Sequence, residues 1–385
     1  MSNLNVRVYN VLFGDAVLLS VPDIDATGQP IVLKVLIDCG NALAGKAGDD
    51  AVFKPVLTDI ASELGGKPLD LYIMTHEHMD HVQGMLYGAQ KLGININARQ
   101  VWMTASSAPD YYDAFPKARE QRKLALSVLD ETERFLAASP GGGAGELEAL
   151  MGINNPRASA DCIDCIRAMA PGDPLYVHRE ANIAGRHPFR KTSIRVLAPE
   201  QDTSVYYGRL GPRTLGMMVD TSDPFAGGNT MPQPPAGVSA GHFYDLVKFR
   251  SSGLRDNLLQ IDKAANNTSL VLEFEWNGWR LLFPGDAEEK SWAIMERLDL
   301  LSSAHFLKVS HHGSHNGTPP EVTDKVLPEA APDEKPRIVV VSTAVGAYKG
   351  VPDDETLNTL AQRATLHDTR NIAPGKWFDF VFEPN

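Results

Sequence analysis

The spacing of apolar and polar positions changes several times along the chain. The first forty residues contain three apolar runs, separated by Gly, Asp or Pro: VRVYNVLF, AVLLSV and IVLKVLID. Such runs predict strands joined by turns, here the antiparallel beginning of a sheet. The nearly continuous apolar run LDLYIMT at 69–75 predicts a strand buried on both faces. A helical apolar spacing follows at 80–92, and QVWMTAS then predicts another strand.

The middle of the chain has a different pattern. Residues 107–190 are mainly helical in spacing, which predicts an insertion and not an independent domain. Residues 208–241 are crowded with Gly and Pro, which predicts a long loop such as a lid or a binding loop. One strand pattern, SIRVLAP, precedes this loop. After the loop come one clear helix pattern, EEKSWAIMERL, and the strand patterns SLVLEFEW, RLLF, HFLKVS, RIVVVST and KWFDFVF. We interpret 1–385 as a single α/β domain.

Charge and cysteine content limit the function classes. The 36 basic and 48 acidic residues give a net charge of −12, which argues against a general nucleic-acid-binding surface. No apolar run approaches the ~20 residues of a membrane span, and the N-terminal segment lacks a secretory pattern. The cysteines Cys39, Cys162 and Cys165 are too few for a disulfide framework. We therefore expect a cytoplasmic protein without a membrane partner, in which Cys162 and Cys165 are packing residues.

Histidines and acids follow the predicted strands. Three histidines and Asp80 lie in THEHMDH, directly after the run at 69–75, and LKVSHHGSHN ends another strand with three more histidines. Two further acids end strands, Asp38 in VLIDCG and Asp286 in LLFPGDAEE. Four strands would thus bring His or Asp to one sheet edge. Imidazole and carboxylate are ligands of zinc, manganese and iron, so this edge is a candidate metal site.

These residues carry a resemblance to a known family. The motif H-x-H-x-D-H of the metallo-β-lactamase superfamily is matched in full by His76, His78, Asp80 and His81. Within that superfamily the chain is most similar to the hydrolase domain of ComEC-type competence proteins and their soluble relatives. The matching segments are VRVYNVLFGDAVLLSVP, VLIDCG, NNTSLVLEF, LLFPGD and LKVSHHGS, in that order. The resemblance implies one metallo-β-lactamase-like domain, a four-layer αββα sandwich with a helical insertion.

The resemblance also implies a centre of two divalent metal ions, with zinc first and manganese or iron as alternatives. His76 and His78 would serve one ion, Asp80 and His81 would serve the other, and Asp286 would bridge both. The last histidine ligand is expected to be His312, with His311 as its rival. The full ligand set implied is His76, His78, Asp80, His81, Asp286 and His312.

Three residues are the candidate catalytic groups: Asp80, Asp38 and His315. By the resemblance, Asp38 would orient the ligands without binding metal itself, which matters because such partners fix the tautomer and position of an imidazole. His315 or its neighbour Ser314 could donate a proton to the leaving group or hold a phosphate.

The chain departs from the family pattern at one position. Many members have another histidine shortly before the strand that leads to the bridging acid, whereas this chain reads AANNT at 264–268. The first metal site could be completed by Asn266, by water, or by a histidine at 178, 187 or 242. An oxygen-richer site of this kind would accept manganese or iron as readily as zinc.

The expected chemistry follows from such a centre. A water that bridges two ions ~3.5–4 Å apart ionises near pH 7 and would attack a polarised substrate. By the resemblance, we expect a metal-dependent hydrolase that uses a metal-bridging hydroxide on the phosphodiester bonds of a small-molecule or nucleotide-type substrate. The alternatives are an acyl hydrolase of esters, lactones, thioesters or β-lactams, or a degenerate metal-binding interaction module. The oligomeric state stays open.

Overall fold

The strands of the chain form two mixed sheets in an α/β fold. The computed structural model describes residues 2–43, 49–138, 145–154, 156–208, 240–329, 335–346 and 350–384. Within these ranges the first sheet has the strand order β13-β1-β2-β3-β4-β5-β6. Its strands are β1 Leu4–Tyr9, β2 Ala16–Ile24, β3 Pro30–Cys39, β4 Leu71–Met74, β5 Val101–Thr104, β6 Leu175–Val177 and β13 Trp377–Phe382. Neighbours from β13 to β3 are antiparallel, and those from β3 to β6 are parallel.

The second sheet is also mixed, with the described strand order β12-β11-β10-β9-β8-β7. Its strands are β7 Ser193–Ala198, β8 Val271–Trp276, β9 Trp279–Phe283, β10 Phe306–Lys308, β11 Ile338–Val341 and β12 Thr365–Asp368. Neighbours from β12 to β9 are parallel, whereas β9, β8 and β7 are antiparallel. A tight hairpin joins β8 and β9: Asn277 and Gly278 have φ of 46° and 74°, as such a turn requires.

The helices of the described residues flank these sheets. They are α1 Asp49–Leu64, α2 Met79–Tyr87, α3 Tyr111–Ala114, α4 Pro116–Ala138, α5 Gly145–Asn154, α6 Pro156–Arg167, α7 Ala240–Asn266, α8 Glu289–Arg297, α9 Pro320–Val326 and α10 Asp354–Arg363. A π-helical turn, Gly88–Leu92, continues α2. In this part of the chain no helix is both long enough and apolar enough to cross a membrane.

Alternate residues of the strands pack into different apolar clusters. Leu71 and Ile73 of β4 belong to a cluster that also contains Phe274 and Phe306 of the second sheet. Tyr72 and Met74 of the same strand face the other way, into a cluster with α1, α2 and α6. This confirms the prediction that 69–75 contains a strand buried on both faces.

The outer face of the second sheet and the long helices have clusters of their own. Leu307 of β10 packs with Trp292, Val322 and Leu360, which lie on α8, α9 and α10. Helices α4, α5 and α7 pack mainly against one another through a separate cluster that includes Leu258. The described part of 107–190 therefore contains four helices, but it also supplies β6, the edge strand of the first sheet.

The cysteines are unpaired, and two of them lie on α6. Cys162 is buried in the cluster between α6 and the first sheet, and Cys165 packs against that cluster. The packing role predicted for both is confirmed.

Candidate metal centre

The candidate residues follow the carboxyl ends of strands from both sheets. Asp38 lies at the end of β3, and His76 follows the parallel neighbour β4. Asp286 follows β9, and His312 follows its parallel neighbour β10. The expectation of one sheet edge was therefore wrong, because the hairpin β8–β9 belongs to a second sheet. The strand ends of the two sheets nevertheless meet at one place.

Four of the predicted ligands form a buried cluster. The Nε2 atom of His81 lies 3.2 Å from Asp286 Oδ2 and 3.8 Å from Asp80 Oδ2. On the other side, His312 Nε2 lies 3.0 Å from Asp80 Oδ2 and 3.3 Å from Asp286 Oδ2. One ligand atom from each of the four residues falls within 4.8 Å of all the others. The spacing and the donor set fit a divalent cation.

His76 and His78 lie beside this cluster. Their ring centroids are 4.7 Å apart, and the His76 centroid is 4.2 Å from that of His81. Both residues are buried, and neither Nε2 atom has a hydrogen-bond partner. A buried polar atom without a partner costs about 1–3 kcal/mol, so an arrangement of several indicates a ligand that they share. The unpaired buried atoms around the centre are His76 Nε2, His78 Nε2, His81 Nε2, Asp80 Oδ1 and Asp286 Oδ1.

The far nitrogens of two imidazoles are fixed by acceptors. His81 Nδ1 lies 2.8 Å from Asp38 Oδ2, and that carboxylate also accepts from the Thr75 backbone N–H and hydroxyl. His312 Nδ1 lies 2.8 Å from the carbonyl oxygen of Ser342. In both rings Nδ1–H donates, so Nε2 faces the cluster. Asp38 thus occupies the orienting position expected of it and lies outside the group of candidate ligands.

Burial and neighbouring charges shift the pKa values of these groups in opposite directions. Burial alone would lower the pKa of His312, but Asp286 and Asp80 outweigh it and raise that pKa to about 10. The pKa of His81 is raised well above its usual value in the same way. Burial, followed by the neighbouring imidazoles, holds the pKa of His76 well below its usual value. Without metal, the cluster therefore holds protons between its carboxylates.

The pKa values of the two carboxylates in the cluster are lowered, opposite to those of His81 and His312. Burial would raise the pKa of Asp286 and Asp80, but the imidazoles His312 and His81 outweigh it and lower both. The pKa of Asp38 is raised, because its burial exceeds the effect of its hydrogen bonds.

The local backbone places these side chains at some cost. Asp38 and His312 have φ of 55° and 53°, a left-handed conformation that residues other than glycine rarely adopt. Strain of this kind costs about 1–3 kcal/mol per residue and is typical of functional sites. Gly40 allows the end of β3 to touch the backbone of Asp80, since a Cβ at Gly40 would overlap the Asp80 carbonyl carbon.

Asp80 and His81 lie in the first turn of α2, as predicted. Asp286 lies before the N-cap position of α8, which Glu288 occupies, so Asp286 does not cap that helix.

Sequence reasoning missed a buried ion pair next to the centre. Lys308 Nζ lies 2.6 and 2.7 Å from the two carboxylate oxygens of Asp15, and both residues are almost completely buried. The sequence pattern around Asp15, FGD before an apolar run, indicates only a turn residue that supports the sheet. The Asp15 backbone N–H also donates to the Asp80 carbonyl, and Asp15 Oδ1 lies 3.9 Å from His312 Nδ1. The only signal in the sequence is a lysine inside the apolar run HFLKVS.

The adjacent histidines His311 and His312 separate into two groups. His312 belongs to the buried cluster, whereas His311 lies with Asp262 and Glu288 in a second group of potential ligand atoms. Asn266, the residue at the departure from the family pattern, directs its amide nitrogen to this second group. No motif or spacing in the sequence indicates a role for Asp262 or Glu288.

The remaining candidates lie apart from both groups. His315 is exposed, and the Ser314 hydroxyl donates to Asn316. His178 Nδ1 lies 3.5 Å from a carboxylate oxygen of Glu180, and the His187 ring packs near Trp102 and Phe189. The His242 side chain and most of the predicted loop 208–241 lie outside the described residues.

A cleft opens beside His78. It is lined by residues of α3 to α7 together with Glu77 and the segment before 208. The Arg122 guanidinium lies 4.2 Å from the ring centroid of Tyr112, and Tyr207 lines the same cleft. Burial raises the pKa of Glu77, which favours its neutral form. The helical region thus forms a wall with a cation and aromatic rings next to one of the predicted ligands.

The chain matches no model of a known protein family, and no curated protein matches it either.

Proposed function

We propose that the chain is a metal-dependent hydrolase of the metallo-β-lactamase kind and that it cleaves phosphodiester bonds. The observation that carries the proposal is the buried cluster of Asp80, His81, Asp286 and His312, whose ligand atoms lie within 4.8 Å of one another. A set of buried imidazoles and carboxylates with unpaired atoms is costly unless a cation is bound. The H-x-H-x-D-H motif leads directly into this cluster.

The proposed architecture is the four-layer αββα sandwich. It is supported by the three apolar clusters, of which one contains strands of both sheets and two contain one sheet with helices. Helix α2 and the turn Ser310–Gly313 lie at the end of this arrangement where the candidate ligands meet.

Each residue has a defined task in the proposed site. His76, His78 and Asp286 would hold one divalent ion, with zinc, manganese or iron as candidates. Asp80, His81, Asp286 and His312 would hold the other. When bound, such ions supply an activated water near neutral pH and polarise a phosphoryl oxygen. Asp38 and the Ser342 carbonyl keep the imidazoles in the tautomer that presents Nε2.

The cleft beside His78 supports a small anionic substrate. Arg122 can pair with a phosphate, and Tyr112 and Tyr207 offer flat apolar surfaces for a nucleobase or a similar ring. Arg122 is the one lysine or arginine among the described residues that line the cleft, and the chain has a net charge of −12. We therefore propose a small-molecule or nucleotide-type substrate and not a long nucleic acid. The cytoplasmic location also remains part of the proposal.

The test combines metal content with substrate choice. Protein purified without chelator is analysed for metal per chain and assayed on bis(p-nitrophenyl) phosphate, p-nitrophenyl acetate and a chromogenic β-lactam. We expect about two equivalents of metal and a preference for the phosphodiester. Asp286→Asn keeps the shape of the side chain, and we expect it to lose metal and at least ~100-fold in rate. Glu275→Gln, at an exposed position of β8, is the matched control.

Each alternative has its own result. A preference for the acetate or the β-lactam would favour an acyl hydrolase. If metal is still absent after reconstitution and no substrate is cleaved, the chain is an interaction module. Full activity of Asp286→Asn would exclude the proposed centre.

A further inference from the structure

A second group of ligand-type side chains lies next to the proposed centre and shares no residue with it. Asp262 comes from α7, Glu288 immediately precedes α8, and His311 lies in the turn Ser310–Gly313. One potential ligand atom of each lies within 4.8 Å of the other two. Three separate elements thus bring two carboxylates and an imidazole to one point.

The side-chain amide of Asn266 lies at this point. Its Nδ2 atom is 2.8 Å from Glu288 Oε1, 3.3 Å from Asp262 Oδ2 and 3.3 Å from His311 Nε2. An amide nitrogen has two N–H donors, so it cannot satisfy all three acceptors when His311 Nε2 is unprotonated. The Oδ1 atom of Asn266 has no partner, although the residue is 0% exposed. The present arrangement therefore leaves both ends of the amide poorly matched.

The surrounding contacts hold the carboxylates in place, and His311 Nδ1, 3.2 Å from Glu288 Oε1, pairs with one of them only when that imidazole is protonated. The second oxygen of Asp262 accepts from Asn154, at 2.9 Å, and the second oxygen of Glu288 accepts from Asn316. No lysine or arginine of the described ranges forms an ion pair with either carboxylate. Glu288 is only 2% exposed. When His311 is neutral, carboxylates that are hydrogen-bonded only by amides are poorly compensated.

We propose that Asp262, Glu288, His311 and Asn266 form a third divalent-cation site. A half-turn of the Asn266 amide exchanges Nδ2 for Oδ1 and gives an oxygen ligand in place of the crowded donor. The site then offers three oxygens and one nitrogen, a set that suits manganese, iron or zinc. His311 is 18% exposed at its side chain and provides the entry path.

The inference is tested by manganese binding, which is independent of catalysis. Metal-free full-length protein is titrated with Mn²⁺, and free Mn²⁺ is measured by electron paramagnetic resonance. We expect Glu288→Gln and Asp262→Asn each to bind about one equivalent less than the wild-type chain. Asp256→Asn, an exposed acid on the same helix, should bind as much as the wild type.

A second background separates this site from the proposed catalytic centre. With Asp286→Asn and His312→Ala combined, we expect at least one equivalent of Mn²⁺ to remain bound and Glu288→Gln to remove one equivalent. Circular dichroism establishes that each variant is folded, and His311→Gln, at a partly exposed position, replaces any variant that is not. Unchanged Mn²⁺ binding in folded Glu288→Gln or His311→Gln would overturn the third site. If the variant with Asp286→Asn and His312→Ala binds as much Mn²⁺ as the wild-type chain, the proposed catalytic centre is contradicted instead.

Discussion

At the scale of single residues, the orientation of imidazoles decides whether the centre can form. His81 can present Nε2 to a cation only while Nδ1–H donates to Asp38. In Asp38→Asn the amide can donate to Nδ1 and favour the opposite tautomer. Loss of such a partner weakens metal affinity by about 10–100-fold. We expect Asp38→Asn to weaken metal affinity by that factor, and competition with a chelating indicator measures the affinity.

The control for Asp38→Asn is Thr75→Ser, which keeps the hydroxyl that donates to Asp38. It should bind metal nearly as tightly as the wild-type chain. Equal affinity in Asp38→Asn and the wild type would mean that the Asp38 contact does not set the His81 tautomer.

The raised pKa values predict that metal binding releases protons. Because the pKa of metal-free His312 is about 10 and that of His81 is also raised, both imidazoles are protonated at pH 7. A bound cation must displace these protons, so affinity should increase as the pH rises from 6 to 9. Calorimetry in buffers of different ionisation enthalpy should detect a release of about two protons per chain at pH 7. A heat that does not depend on the buffer would contradict this expectation.

The same shift predicts how the metal-free chain responds to alkaline pH. The contribution of protonated His312 to the free energy of unfolding is complete below the ordinary histidine pKa of ~6.5 and is lost as the pH rises through about 10.

At the scale of elements, strands were predictable where their apolar pattern was strong. The segments around β1 to β5, β7 to β11 and β13 were all predicted, as were α2, α4 and α8, because each carries a clear apolar run, an apolar alternation or a helical period. Helix α1 was missed. Pro55 lies inside it and argues against a helix from sequence alone, but Val52, Val56 and Ile60 pack it against the first sheet.

The second group of ligand-type residues could not be predicted from the sequence, because it depends on a helix that was not predicted. Asp262 and Asn266 are one turn apart on α7, a helix that was not predicted. Glu288 and His311 are neighbours of predicted ligands in the sequence, but in the fold both contact Asn266 of α7 in the second group. Separation of His311 from His312 likewise depends on the left-handed backbone of both residues.

The loop that follows β3 predicts a substitution with a large effect. In Gly40→Ala the added Cβ would overlap backbone atoms of Asp80 and His81, which cannot move aside as a flexible side chain can. We expect a loss of about 1–3 kcal/mol in the free energy of unfolding, together with weaker metal binding. Urea unfolding and metal titration measure the two effects. Gly172→Ala, with no atom within 4 Å of the added Cβ, should change neither.

At the scale of the whole molecule, the site depends on how the two sheets are joined. Asp15 precedes β2 of the first sheet, and Lys308 ends β10 of the second. Their buried ion pair therefore links the sheets directly behind Asp80 and His312. Removing one partner of a buried pair leaves an uncompensated charge, which costs about 3–5 kcal/mol, whereas replacing both can be nearly neutral.

Lys308→Met tests whether this link stabilises the molecule. We expect a loss of about 3–5 kcal/mol in the free energy of unfolding of the metal-free protein, because the Asp15 carboxylate stays buried without a cation. Adding Asp15→Asn removes that charge, so the double variant should be more stable than Lys308→Met alone. Lys54→Met, at an exposed position of α1, is the control and should stay within about 0.5 kcal/mol of the wild type. If Lys308→Met also stays within that margin, the ion pair does not hold the sheets together, and the position of Asp80 must then depend on its backbone contacts with Gly40 and with the Asp15 N–H.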